Sequence, residues 1–469
     1  MRPVLAVSLG GLMLVWPALL NHYPILFSDT GGLLEMGLEP SMGWDKPWVY
    51  GPILALFHWR TTLWGPLVVQ GLLTSYVLWL TQSVLHTPRS HQHLLLCFAL
   101  AIGTAAPWFT STLMPDLFTP LVPLCIFVLA FAPLRLSPRQ RLIAAAIGTI
   151  AIAAHLSHLI LAASCIAVIG VVQRAIPWRP AATLAVALAF LLASNAIGHG
   201  IVSLSPYGSV FALARLVGDG PARAYIDRVC PEAGYRLCAW KGRLSADSDE
   251  FLWHPQGPLW ADEFSPMAFA PEATRIVSAT LAAYPLEIAR AAAANTARQL
   301  GRVQLGDTLV PDHLDAAVRP KLEAYFPAAE LRRYDTSRQR QGRLAKAAQP
   351  FHILQTALLL LGAAATIALL IQGLRHPTPL RYPTPLTALA ALVLAALLVN
   401  AFATGAFSTV HDRYQARIAW LVLLPPGFAL LRARSRRDSG GAPADRSAQT
   451  PPYAARLATS SGDIRTRAS

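Results

Sequence analysis

Apolar residues fall into runs near the length needed to cross about 30 Å of hydrocarbon. They cover roughly 3–21, 63–83, 94–110, 117–134, 181–202, 352–374, 386–408 and 416–433. A further stretch, about 142–173, is long for one crossing and short for two. Arg135, Arg139 and Arg141 precede it and Arg174 and Arg179 follow, so two short crossings put both clusters on one side. The pattern predicts an all-α polytopic membrane protein of about ten transmembrane helices.

Between the runs, two regions differ in texture. Residues 203–350 are charged and punctuated by Pro206, Pro255, Pro271, Pro285, Pro311 and Pro327, a stretch long enough to bury a core of its own. Helical spacing is visible over Glu272–Ala283 and again in Leu286, Ala289, Ala293, Ala297 and Leu300, while strand-like alternation is scarce. The segment therefore reads as a mainly helical external domain. Residues 434–469 are rich in Ser, Ala, Gly and Arg, with too little apolar periodicity to bury anything, and read as a disordered tail. The resulting division is 1–202 with a first outer loop at 22–62, then 203–350, 351–433 and 434–469. No internal repeat is visible.

Composition agrees with the run pattern: 54% of residues are hydrophobic and 14% charged, with a mean hydropathy of +0.42, which excludes an ordinary soluble enzyme. The net charge of +14 invites a nucleic-acid reading, but many of the basic residues lie in short loops and the tail. Topology and contact with anionic membrane lipid explain them there, and no nucleic-acid partner is expected. With Arg2, Arg89, Arg135–Arg141, Arg174, Arg179, Arg375, Arg381 and Arg432–Arg437 inside, both termini are cytoplasmic and the Asp-bearing loops face out. Arg332, Arg333, Arg338, Arg340, Arg343 and Lys346 then fall on the outer side, where long translocated segments are exempt from the charge rule. No small-x-small cleavage site follows Leu20, so the first apolar run reads as an uncleaved helix rather than a signal peptide.

Cys230 and Cys238 are the cysteines outside the apolar runs, and a short-loop disulfide between them fits an oxidising compartment. Two unrelated thiols are the alternative. Cys97, Cys125 and Cys165 sit in apolar runs as core filler.

Acidic residues are the informative rarity. Asp116 stands alone between Asp45 and Asp219, and Asp412 alone between Asp335 and Asp438. A carboxylate at a helix centre in lipid costs roughly 2.5–3.5 kcal/mol, so those that persist are candidates for function. Asp29 follows the first run in the loop His22-Tyr-Pro-Ile-Leu-Phe-Ser-Asp-Thr-Gly-Gly, where it meets both lipid and outside solvent. Asp45 and Lys46 open the segment Trp44-Asp-Lys-Pro-Trp-Val-Tyr-Gly-Pro, an interfacial helix with Trp44, Trp48 and Tyr50 at headgroup depth. Asp116 follows Pro115 at an outer turn, fitting either a helix N-cap or a role toward an acceptor or cation. Asp412 fits an ion pair with Arg413 or Lys46 as well as a binding role. His155 and His158 are two metal-capable ligands without clear partners, better suited to proton shuttling or interface placement.

These motifs resemble the integral-membrane glycosyltransferases of the GT-C class that use polyprenyl-phosphate sugars, particularly the aminoarabinose- and mannosyl-transferase branch. In that family an essential acid lies near the end of helix one, and an Asp-Lys-Pro-Pro type motif with an aromatic, apolar run follows. Here Asp29 and Asp45-Lys46-Pro47 stand at those positions; Trp48 replaces the second proline, and Thr30 the frequent second acid. A terminal Arg-Tyr motif before the last helix corresponds to His411-Asp-Arg-Tyr-Gln-Ala-Arg417. The likeness is specific over roughly sixty residues and architectural elsewhere.

The resemblance implies an inverting transferase of the plasma membrane, the inner membrane of a bacterium, moving a sugar from a polyprenyl-phosphate donor to a lipid, glycan or protein acceptor. Asp29 would be the catalytic base, with Asp116 beside it. Asp45, Lys46, Tyr50, His411, Asp412, Arg413, Tyr414 and Arg417 would contact substrate. Lys46, Arg413 and Arg417 suit the phosphate, because a guanidinium pairs two oxygens and Arg413 and Arg417 share a helix face if helical. Snorkelling interfacial charge is the simpler role for the arginines.

The family leaves a divalent cation open, and no nucleotide cofactor is expected. Walker loops, dinucleotide fingerprints, zinc-ligand patterns and Gly-x-Ser-x-Gly elbows are absent, which disfavours nucleotide-driven transport and serine hydrolysis. A lipid-linked glycan flippase remains an alternative, although it predicts polar residues along a path across the membrane rather than acids at one edge. A non-catalytic scaffold of the same fold for envelope assembly is the second alternative.

Overall fold

The computed structural model describes residues 2–132, 135–261, 265–375 and 384–438, with side chains as far as residue 434. Arg381 and the tail beyond Asp438 lie outside the described residues. Among the described residues the regular structure is helical, and extended pairing is confined to an isolated parallel bridge between Ile25 and Thr112.

The N-terminal part runs through α1 (Pro3–Met13), α2 (Trp16–Asn21), α3 (Ser28–Leu38), α4 (Tyr50–His58), α5 (Trp64–Leu85), α6 (Ser90–Gly103) and α7 (Ala106–Ser111). It continues through α8 (Phe118–Phe131), α9 (Pro138–Ala153), α10 (Ser157–Gln173) and α11 (Trp178–His199). Shorter helices follow: α12 (Gly208–Asp219), α13 (Pro221–Val229), α14 (Ser248–Trp253), α15 (Pro266–Ala283), α16 (Pro285–Leu300), α17 (Leu314–Ala317), α18 (Arg319–Tyr325), α19 (Ala328–Asp335) and α20 (Leu344–Ala348). The last described elements are α21 (Phe351–Arg375), α22 (Pro385–Phe407), α23 (Asp412–Ala419) and α24 (Leu424–Asp438).

Among the described residues, five helical stretches are long and apolar enough to cross a membrane: α5, α11, α21, α22 and the combined Asp412–Arg434 stretch. Four shorter apolar helices accompany them: α1, α6, Pro115–Phe131 and α10. These are the helices of a membrane protein. Their surroundings differ, since 72% of the apolar window of α5 is buried inside the fold against 17% for α21, which leaves most of the α21 surface uncovered by the other described residues.

Local chemistry explains the breaks. The first apolar run is two helices, parted at Leu14–Val15 just before Pro17. The stretch 142–173 is also two helices, α9 and α10, joined by a turn that carries His155. Ser137 starts α9 through a capping box with Gln140, with Pro138 in the first turn. Where α1 crosses α5 the backbones touch: a Cβ on Gly11 would come within 2.9 Å of the Gly71 carbonyl oxygen. Small residues at that crossing replace the hydrophobic drive that lipid removes.

The segment 203–350 has two kinds of core. Val210, Leu213, Ile226, Phe251 and Phe269 form a cluster of their own across α12–α15, beside the Cys230–Cys238 disulfide. Leu314, Val318, Leu322 and Tyr334 of α17–α19 instead join the core of the apolar bundle, packed against α3. Gly31 and Gly32, read from sequence as part of the first outer loop, lie within α3, and a Cβ on Gly31 would collide with the Ala317 carbonyl oxygen at 1.9 Å. That glycine is a close-packing position between α3 and α17.

Candidate functional site

The loop carrying Asp29 is held on all sides. Tyr23 donates through its hydroxyl to Glu330 at 2.9 Å. Ile25 pairs with the chain leading to Asp116, its N–H on Ser111 O at 3.0 Å and its carbonyl taking Leu113 N–H at 2.9 Å. The buried Gln339 amide closes on Leu26, accepting from its N–H at 3.1 Å and donating to its carbonyl at 2.6 Å. Thr30, which stands where a second acid is frequent, is buried: its hydroxyl accepts from Phe27 N–H at 3.0 Å and donates to Leu113 O at 3.1 Å. Asp29 therefore projects from the first turn of a fixed helix.

Two cations from other elements meet that carboxylate. Lys46 Nζ is 3.2 Å from Asp29 Oδ1 and also pairs with Asp45. Arg413 Nη1 is 3.7 Å from Asp29 Oδ2. The Arg413 guanidinium lies over the Phe27 and Tyr414 rings, 4.3 and 4.8 Å from their centroids, while its Nη2 donates to the Tyr414 hydroxyl at 3.2 Å. Asp307 fixes the start of α23 by accepting from Arg413 N–H at 2.9 Å. Nε and Nη1 of Arg413 are buried without a hydrogen-bond partner among the described residues, although Nη1 faces Asp29.

Burial raises the cost of ionising Asp29, but Lys46 and Arg413 outweigh it and hold its carboxyl below the usual carboxylate range. Burial likewise works against the Lys46 ammonium, and Asp29 and Asp45 more than reverse it, raising its pKa. Burial lifts the Asp307 carboxyl above its ordinary value despite the Arg413 N–H it accepts. His155, at the α9–α10 turn, is pushed down to about 3, first by burial and then by Arg417 and Arg413, so its ring is neutral.

Behind this cluster lies a second pair. Arg417, one turn along α23 from Arg413, is fully buried and bonded to Asp116. Asp116 does not cap a helix; its carboxylate belongs to that ion pair. Asp116 Oδ2 and Arg417 Nε and Nη2 are buried without hydrogen-bond partners among the described residues.

The other candidate residues are engaged with partners outside the Asp29 cluster. Tyr50, expected at headgroup depth, is buried and donates to Gln70, which in turn holds the Thr110 and Thr112 carbonyls at 2.9 and 3.0 Å. His411 Nε2 bonds Asp249 at 3.0 Å, and its backbone is held at both ends by Gln299. Asp412 pairs with neither Arg413 nor Lys46; it meets Arg302 at 3.4 Å and Gln304 N–H at 3.2 Å. His155 bonds Ser157 Oγ at 2.8 Å, while His158 donates to Ala151 O at 2.7 Å and accepts from Thr119 at 2.8 Å. Among the described residues, no three His, Cys, Asp or Glu side chains gather to hold a metal ion. The Lys46 ammonium bridges Asp29 and Asp45, standing where an ion shared by those two carboxylates would sit.

Asp29, Asp45, Lys46, Arg413 and Tyr414 are thus brought together, with Asp116 and Arg417 beneath them. Gln339, Asp307 and Glu330 complete the support and carry no sequence signature, apart from a Gly306-Asp307-Thr308 turn signal. Comparison with protein-family models, with curated proteins and with solved structures finds no match.

Proposed function

We propose that this protein is a membrane glycosyltransferase of the GT-C type, transferring a sugar from a polyprenyl-phosphate donor to a lipid, glycan or protein acceptor. The supporting observation is one accessible carboxylate, Asp29, bracketed by Lys46 at 3.2 Å and Arg413 at 3.7 Å at the edge of an apolar helical bundle. A base and two phosphate-binding cations on one surface are the parts that transfer from a phosphate ester needs.

The pairing also suggests how the base is released. Without donor, Asp29 is tied to its cations and is a weak proton acceptor. A phosphate carries more charge and more acceptor oxygens than a carboxylate, so it competes for Lys46 and Arg413. As those cations turn to the phosphate, burial lifts the proton affinity of Asp29. The acceptor hydroxyl oxygen then attacks the anomeric carbon and its proton passes to Asp29. The carbon–oxygen bond to phosphate breaks with its electron pair on the leaving group, neutralised by Lys46 and Arg413, and the sugar is inverted. Arg417, neutralised by Asp116, anchors α23 from below and so fixes Arg413 one turn away.

In this reading the chain crosses the plasma membrane about ten times, with cytoplasmic termini and with Asp29 and residues 203–350 on the outer side. The basic short loops and the Cys230–Cys238 disulfide support that orientation. The direct test is transfer from a labelled polyprenyl-phosphate sugar by the purified full chain. Wild type should transfer and Asp29→Asn should not; wild-type turnover by a folded Asp29→Asn variant removes Asp29 as the base.

A non-catalytic scaffold of the same fold is the second reading. The ion pairs already present favour it, since Lys46 and Arg413 are met by Asp29 and Asp45 with no ligand needed. Absence of transfer across a panel of polyprenyl-phosphate sugars, with donor binding also absent, would select the scaffold.

A further inference from the structure

The basic stretch before α21 is not used by the site, and its surroundings define what it can bind. Arg332, Arg333, Arg343 and Lys346 are exposed and Arg338 is half-buried. The acids nearest in sequence are already engaged: Glu330 is buried and accepts from Tyr23, Thr62 and Leu63, and Asp335 pairs with Arg319. Arg340 pairs with Asp315 and Arg333 leans on Glu330. Arg332, Arg338, Arg343 and Lys346 make no ion pair among the described residues. No carboxylate among the described residues lies within ion-pair distance of them.

Their depth follows from what the same segment packs against. Arg338 N–H bonds Asn21 O at 3.1 Å, at the end of the first apolar helices. α20 buries Leu344 and Ala348 in a cluster with Ile25 and Trp108, which leaves Arg343 and Lys346, three apart, on its outer face. Phe351, the first residue of α21, packs its ring 5.7 Å from those of Trp16 and Trp108. The apolar helix that begins there is the least covered of the five candidate spans among the described residues. Arg338, Arg343 and Lys346 therefore lie beside the start of α21, with Arg332 exposed on α19 six residues before Arg338; with α21 as a membrane span, that start is headgroup level.

We infer that Arg332, Arg338, Arg343 and Lys346 form a docking strip for the phosphate headgroups of anionic glycerophospholipids in the bilayer around α21. Juxtamembrane Lys and Arg gain from a negative lipid surface, and the gain falls with salt. An anionic headgroup supplies the counter-charge that the fold withholds. The strip binds lipid already in the membrane, so this inference is independent of sugar transfer.

The test uses the full chain reconstituted in equimolar phosphatidylglycerol and phosphatidylcholine and measures which lipids remain bound by native mass spectrometry, with no sugar donor present. Wild type should retain phosphatidylglycerol several-fold over phosphatidylcholine, less so at high salt. The R332Q/R338Q/R343Q/K346Q variant should lose most of that preference, and R332K/R338K/R343K should keep it. If the fourfold variant does not fold, the exposed pair R332Q/K346Q is measured and should lose about half. Equal retention of the two lipids by wild type, or an unchanged preference in the folded glutamine variants, overturns the inference. So does displacement of phosphatidylglycerol by millimolar inorganic phosphate, which would identify a free-anion site.

Discussion

Asp29 and Asp116 both meet arginines of α23 that are one turn apart, yet they form different kinds of ionic centre. The Asp29 side chain is 27% exposed and shared between Lys46 and Arg413, at 21% and 13%. Asp116 is 3% exposed and Arg417 not at all. A buried pair has already given up its hydration, so separating it strands a charge in a medium that cannot solvate it. The open trio can exchange one anion for another, because solvent or a ligand reaches it. Access, rather than residue type, separates the centre that a ligand can reach from the centre closed to it.

The sharpest division would come from Asp29→Asn. Transfer activity should fall by about 10²–10⁴-fold, the usual range for losing a positioned base. Stability should change by less than about 1 kcal/mol, because a partly exposed ion pair contributes little. Both are readable on one preparation, by labelled-donor turnover and by thermal melting in detergent. A large fall in melting temperature would break the comparison by making the open trio structural.

Arg417→Met should show the opposite signature. Removing one partner of the buried pair leaves Asp116 uncompensated and should cost about 3–5 kcal/mol of stability. Adding Asp116→Leu should recover much of that loss, since two apolar side chains need no solvation. If the double variant is as unstable as Arg417→Met alone, the pair has partners beyond each other and the simple picture of a structural couple fails.

Much of this organisation is visible in the chain before folding. The helix start at Pro285 follows from proline placement, the rarity of acids in apolar sequence singles out Asp116 and Asp412, and loop position with the family-like motif singles out Asp29. The break within 3–21 is less legible, because a run of apolar residues scores as one span whether or not it bends. Partner choice is not legible. Asp116 and Arg417 are 301 positions apart, so sequence shows two candidate site residues and not that they neutralise each other. Gln339 is invisible for a related reason: a lone glutamine between Arg338 and Arg340 has no periodicity, and its role comes from being folded onto Leu26. Gln339→Leu should orphan the Leu26 N–H and carbonyl, at about 1–3 kcal/mol for a group left unsatisfied. By loosening the Asp29 loop it should lower turnover more than donor affinity, measured as a kcat against KM split.

Lys46→Met tests the open centre most finely, because it should leave base and fold in place and change only their balance. Donor binding should weaken roughly tenfold, as expected for one charge-assisted bond near 1.5 kcal/mol. The more discriminating readout is the acid limb of kcat/KM, which reports ionisation of the free enzyme. The folded-state pKa of Asp29 is depressed, so its pairing stabilises the fold above the ordinary carboxylate value near 3.9 and is lost as pH falls through the depressed value. Lys46 is the strongest of the groups that lower it. Without that ammonium, burial is opposed chiefly by Arg413, and the Asp29 pKa must rise. The acid limb should therefore move to higher pH in Lys46→Met, while the Asp116–Arg417 pair leaves the melting temperature near wild type. An acid limb that stays in place, with donor binding still weakened, would mean that Lys46 serves the phosphate alone and that Asp29 is not the group whose ionisation controls transfer.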